Sequence, residues 1–150
     1  MHEFPHHYRA EAASEGDGVT LSSASLQPLM SASPAEFGGP GDRWSPETLL
    51  VAAVADCFVL TFHSVARAAK LPWVTLRCAV NGTLDRVERV TQFTGFEVRA
   101  TLQVPEGADL DLANRTLVRA EQLCLISNSL KGPCHLDANV EVVAGQPARM

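Results

Sequence analysis

The sequence predicts an α+β protein, and three observations carry that prediction. One long stretch, Ser45 to Ala69, is apolar or small on nearly every side and has no Gly or Pro between Pro46 and Pro72. Three other stretches, 73–84, 91–104 and 134–143, place apolar residues at every second position, the period of a strand with one buried face. The order of elements, strands first, then the long helix, strands, an amphipathic helix and a last strand, is not the βαβ alternation of a parallel α/β fold.

Taken in order, residues 6–14 and 18–26 flank Glu15-Gly-Asp-Gly18 and read as a β-hairpin closed by a glycine turn. Residues 31–44 are rich in Ser, Pro and Gly. This loop lacks the spacing of a P-loop, and no Lys-Ser/Thr follows it, which argues against a phosphate site. Ser45 then suits a helix cap, Pro46 the first helical position, and Glu47 the positive end of the dipole. The helix they open has room for about six to seven turns. It is too interrupted and alanine-rich for a convincing membrane span, and a helix so apolar all round should be buried all round.

Leu71-Pro-Trp73 turns the chain into the strand carrying Val74, Leu76, Cys78 and Val80 on one face. Asp85–Arg89 reads as a solvent-facing connection to the strand with Phe96, Val98, Ala100, Leu102 and Val104 together. Asp109 or Asp111 should start a second helix running to about Ile126, and Cys134–Val143 a closing strand.

At 150 residues the chain is expected to be one domain, 1–150. A net charge of −5 without a basic cluster argues against nucleic acid or an anionic membrane as partner. The opening Met1-His-Glu-Phe-Pro-His-His has no apolar core region, so a cytoplasmic location with reduced thiols is expected. His2, His6 and His7 suit a frayed terminus better than a metal site, and no metal or other cofactor is expected.

Cys57, Cys78, Cys124 and Cys134 show no CxxC pair and no zinc spacing, which leaves catalytic, redox or merely buried thiols. Cys78 and Cys134 fall on apolar strand faces and are assigned to the core. Cys57 and Cys124 fall on the two helices and, if they meet, can cycle between dithiol and disulfide. A reactive Cys57 needs a lowered pKa, yet it lies twelve residues past the cap, beyond help from the dipole. The thiolate therefore needs a cation beside it, arginine best of all. Glu47 is able to orient such an arginine, but ten helical residues put it about 15 Å along the axis from Cys57. His63, about 9 Å along the axis, is too far for a Cys–His dyad. Phe37, Trp44, Phe58 and Phe62 suit either an apolar substrate pocket or the core.

Trp44-Ser-Pro-Glu-Thr-Leu-Leu-Val-Ala-Ala-Val-Ala-Asp-Cys-Phe58, followed by Cys124-Leu-Ile-Ser-Asn-Ser-Leu130, resembles the OsmC/Ohr family, the osmotically inducible and organic hydroperoxide resistance proteins. Gly38-Gly39 and the strand after Gly132-Pro133 extend the resemblance over nearly the whole chain. It implies an intertwined homodimer with antiparallel sheets, a buried central helix and interface active sites. It also implies a stress-response thiol peroxidase acting on organic hydroperoxides. Cys57 would become a sulfenic acid and Cys124 would resolve it as a disulfide, later reduced by a dithiol such as a lipoylated protein. Glu47 would hold the catalytic arginine. One departure matters: the family's peroxidases usually carry that arginine in the first hairpin, and here no arginine lies between Arg9 and Arg43. Arg43, four residues before Glu47, is the substitute. The alternative function is a non-enzymatic OsmC-like dimer that binds an apolar small molecule.

Overall fold

The computed structural model describes residues 3–14 and 16–149. His2, and Glu15 of the expected hairpin turn, lie outside them. The architecture is α+β, as expected, with two helices and two three-stranded sheets. The chain divides into two compact units, 1–50 and 51–150.

In the first unit β1 (Glu11–Ser14) and β2 (Val19–Ser22) form the expected antiparallel hairpin. A short third strand, β3 (Leu29–Ser31), adds to β2. The loop after it returns to the sheet where the Ala32 N–H donates to the Trp44 carbonyl at 2.9 Å. The helix α1 (Pro46–Ala69) then begins on a reciprocal cap. The Thr48 N–H donates to Ser45 Oγ at 3.2 Å, and the Ser45 N–H donates to Thr48 Oγ1 at 2.8 Å.

In the second unit β4 (Thr75–Val87), β5 (Val90–Pro105) and β6 (Cys134–Val143) form one sheet with β5 central. Phe96, Val98, Ala100, Leu102 and Val104 of β5 are all buried, as the alternation predicts. The connection expected over Asp85–Arg89 is shorter: β4 runs on to Val87, and the turn is Glu88-Arg89, both at positive φ (49° and 70°). That is the backbone of a two-residue hairpin turn, built without the usual Asn or Gly. β6 pairs with β5 in parallel rather than antiparallel fashion. A parallel partner needs a crossover, and α2 (Leu110–Gln122) supplies it, so β5–α2–β6 is a βαβ unit within an otherwise antiparallel arrangement. Asp109 caps α2, accepting from the Leu112 N–H at 2.9 Å.

The burial of α1 differs from expectation. Within the chain only the stripe Val54, Phe58, Phe62 and Ala66 is buried, while Leu60 is 56% exposed. The stripe recurs every four residues and so lies along one side of the helix. Gly82 makes room on β4: a Cβ there would stand 2.9 Å from Val51 Cγ2 and 2.8 Å from Phe93 Cε1. By length and composition α1 is apolar enough to cross a membrane, and within the chain its buried residues are confined to the one stripe.

Candidate active site

α1 presents Cys57 half-buried at its middle, immediately before the fully buried Phe58. The second thiol arrives differently from what periodicity suggests. α2 ends at Gln122, not at Ile126, so Cys124 sits in the turn that follows the helix rather than on it. No Gly or Pro stops the helix there. The Asn128 side chain does so instead, its Nδ2 donating to the Gln122 carbonyl at 3.1 Å, and the Cys124 N–H bends back to the Glu121 carbonyl at 3.1 Å. The turn makes the buried Cys124 a neighbour of Cys57, close enough that each thiol shifts the ionisation of the other, and no disulfide joins them.

The two sulfurs are tuned in opposite directions. Burial pushes the Cys57 thiol up, but hydrogen bonds from the Ile126 backbone, the Cys124 thiol, the Thr61 hydroxyl and the Leu125 backbone together leave it below its ordinary value. Thr61 Oγ1 lies 3.9 Å from the sulfur, one helical turn on. Burial also pushes Cys124 up, against the pull of the Ser127 hydroxyl, 3.1 Å from its sulfur, and of the Ser127 backbone. Contact with Cys57 and its charge add to that rise. The first proton to leave is therefore that of Cys57, while Cys124 keeps its own longer. Within residues 51–150 the groups that lower Cys57 are amides, a hydroxyl and the second thiol.

Cys78, on the inner face of β4, is pushed up to about 11 by burial and then by the charge of Cys124. Alkylation should follow this order. With iodoacetamide at neutral pH, mass mapping should find Cys57 labelled ahead of Cys124 and Cys78, because the thiolate is the nucleophile. Labelling of Cys78 ahead of Cys57 would contradict the tuning.

The remaining candidates separate by unit. Phe58 and Phe62 are buried, and Phe62 meets Trp73 edge-on at 5.4 Å. His63 stacks on Trp73 at 5.1 Å. In the first unit Phe37 and Trp44 are exposed. Trp44, Arg43, Leu29, Met30 and Thr48 wall an open groove of about 530 Å³. Arg43 pairs loosely with Asp42 at 3.9 Å, and its guanidinium lies against the hairpin: a Cβ on Gly18 would stand 2.9 Å from Nη1. Glu47 Oε2 is buried and accepts no hydrogen bond among the described residues, an arrangement a carboxylate tolerates poorly.

Sequence reasoning named both thiols but missed the groups that tune them: Thr61, Ser127 and the backbone of 125 and 126. The Ser127-Asn-Ser129 run after the helix was the available signal, since such residues bond to nearby backbone.

Comparison with known proteins agrees with this architecture. The family described as OsmC-like protein matches residues 39–139. The uncharacterised protein YmaD of Bacillus subtilis is 25% identical over 146 residues, covering 93% of this chain and 97% of that one. An OsmC-like protein of unknown function from Vibrio cholerae superposes with a TM-score of 0.79 at 15% identity, over 93% of this chain and 100% of that one. An organic hydroperoxide resistance protein OsmC from Legionella pneumophila gives 0.74 at 24% identity, again over 93% and 100%. One from Elizabethkingia anophelis gives 0.75 at 20%, over 95% and 100%. The chain belongs to the OsmC/Ohr family.

Proposed function

We propose that the protein is a thiol-dependent peroxidase that reduces organic hydroperoxides to alcohols. The observation that carries the reading is the pairing of two free thiols, Cys57 and Cys124, the first held below its ordinary pKa and the second above it. The Cys57 thiolate attacks the terminal peroxide oxygen, the O–O bond breaks, and the alkoxide leaves as the alcohol after taking a proton. Cys124 then attacks the sulfenic sulfur, hydroxide leaves as water with the Cys124 proton, and a disulfide remains. A dithiol, such as a lipoyl group carried by a protein, restores both thiols by exchange.

Arg43 takes the place of the family's hairpin arginine in this reading and holds the peroxide oxygens. Its guanidinium beside Gly18 supports the substitution, and the unpartnered Glu47 Oε2 is the acceptor suited to it. A second copy of the chain covers the exposed side of α1 and completes a homodimer in a cytoplasmic setting. Treating the reduced protein with one equivalent of cumene hydroperoxide should remove two hydrogens and link Cys57 to Cys124 in the mapped peptides. Recovery of both thiols unchanged, with the peroxide intact, would end the peroxidase reading.

A further inference from the structure

We propose that Met30 is a second site of reaction with organic hydroperoxides, where the thioether sulfur takes up one oxygen as a sulfoxide with help from the Arg43 guanidinium. The site lies within the first unit and uses neither thiol of the pair. It shares Arg43 with the reading above but does not depend on it.

Met30 is the one methionine of the sequence between its two ends. It stands at the middle of β3, directly across from Thr20 of β2. A methionine usually fills gaps in a core, flexible and apolar. This one is 49% exposed, and its sulfur is held in place: Thr20 Oγ1 donates to Met30 Sδ at 3.3 Å. That bond engages one lone pair of the sulfur and leaves the second for an electrophile.

Its neighbours make the position reactive rather than merely open. Met30 and Arg43 wall the same groove of about 530 Å³, with Leu29 and Trp44 beside them. Both side chains reach the empty space over Gly18: a Cβ there would stand 2.9 Å from Arg43 Nη1 and 3.7 Å from Met30 Cε. Thioether and guanidinium thus end against one point of the hairpin, which a glycine leaves clear. Among the described residues the one ion pair of Arg43 is the loose contact with Asp42 at 3.9 Å, so its N–H groups can serve a ligand. An organic hydroperoxide matches this set: Leu29 and the exposed Trp44 offer apolar surface to its organic group, and the guanidinium takes its oxygens. The sulfur lone pair attacks the terminal oxygen, the O–O bond breaks, and an alkoxide leaves. The proton of the terminal oxygen passes to that alkoxide to give the alcohol, and the sulfur keeps the oxygen as a sulfoxide. Sulfur gives up two electrons and the peroxide gains them. Arg43 donates to the departing oxygen while negative charge builds on it, the moment at which a charge-assisted bond is strongest.

The readout is the mass of the peptide that carries Met30, followed in Cys57→Ser so that the thiol pair does not consume the peroxide. Excess cumene hydroperoxide is added with N-acetylmethionine amide in the same solution as reference. Met30 should gain one oxygen about tenfold faster than the reference, the size of effect that one charge-assisted hydrogen bond gives. Adding Arg43→Gln to the same chain should bring Met30 back to the rate of the reference. Met30 oxidised no faster than the reference, or as fast with glutamine at position 43 as with arginine, overturns the proposal. Should the Arg43→Gln chain fail to fold by circular dichroism, the rate in Cys57→Ser against the reference still decides. A wild type whose thiols leave cumene hydroperoxide intact while Met30 reacts as stated loses the peroxidase reading and keeps this site. A working thiol pair beside an inert Met30 does the reverse.

Discussion

Cys57→Ser should lower cumene hydroperoxide turnover with dihydrolipoamide by about a thousandfold or more, to the level of the buffer. A serine hydroxyl in the same place stays protonated at neutral pH, and neither Cys124 nor Cys78 is tuned to replace it. Cys124 is pushed up by burial and, when Cys57 is charged, by that charge as well. Cys78 lies still higher, at about 11. The companion variant behaves differently. Cys124→Ser keeps the attacking thiolate, so it should consume about one equivalent of peroxide and stop as a sulfenic acid that dimedone traps on Cys57. Equal activity in wild type and Cys57→Ser would leave the chain a binding protein with an idle thiol pair. Dimedone trapping on Cys124 instead would reverse the two roles.

The class of the fold was legible because it rests on periodicity. The five buried residues of β5 and the whole extent of β6 follow from alternation alone. The features that escaped depend on contacts remote in sequence or on backbone conformations with no residue signature. Glu88 and Arg89 adopt left-handed φ without being Gly or Asn, so nothing in their identity marks a two-residue turn. The stop of α2 is made by Asn128, six residues beyond the last helical carbonyl, so apolar spacing carried the predicted helix too far. Strand direction is likewise silent in a single strand's pattern, and β6 reads the same whether it pairs parallel or antiparallel. At the site, Cys57 and Cys124 were recognisable as a pair by resemblance, whereas the amides that tune Cys57 carry no side-chain signature at all. Among side chains arginine is the best donor to a thiolate, and main-chain donors do not show in a list of residues, so the amides add to what residue types alone suggest.

Phe62→Ala should cost about 3–5 kcal/mol, the largest stability loss expected from a single truncation here. Its side chain is fully buried and meets the Trp73 ring edge-on at 5.4 Å with the planes 83° apart, so truncation removes both a large apolar volume and an aromatic contact. Domains of this size are stable by about 5–15 kcal/mol, so about a fifth or more of the total is at stake, and the thermal midpoint should fall by about 10 °C. The comparison that gives this meaning is Leu60→Ala on the same helix, where the side chain is 56% exposed within one chain. If the chain acts alone, that change should cost well under 1 kcal/mol. If a second copy covers α1, as proposed, Leu60→Ala should weaken association, and its midpoint should fall further as the protein is diluted. Phe62→Ala lowers the midpoint at every concentration, because the cavity it leaves lies inside the chain. The separation of the two variants on dilution thus reads out whether the apolar side of α1, left open by its own chain, is closed by another copy.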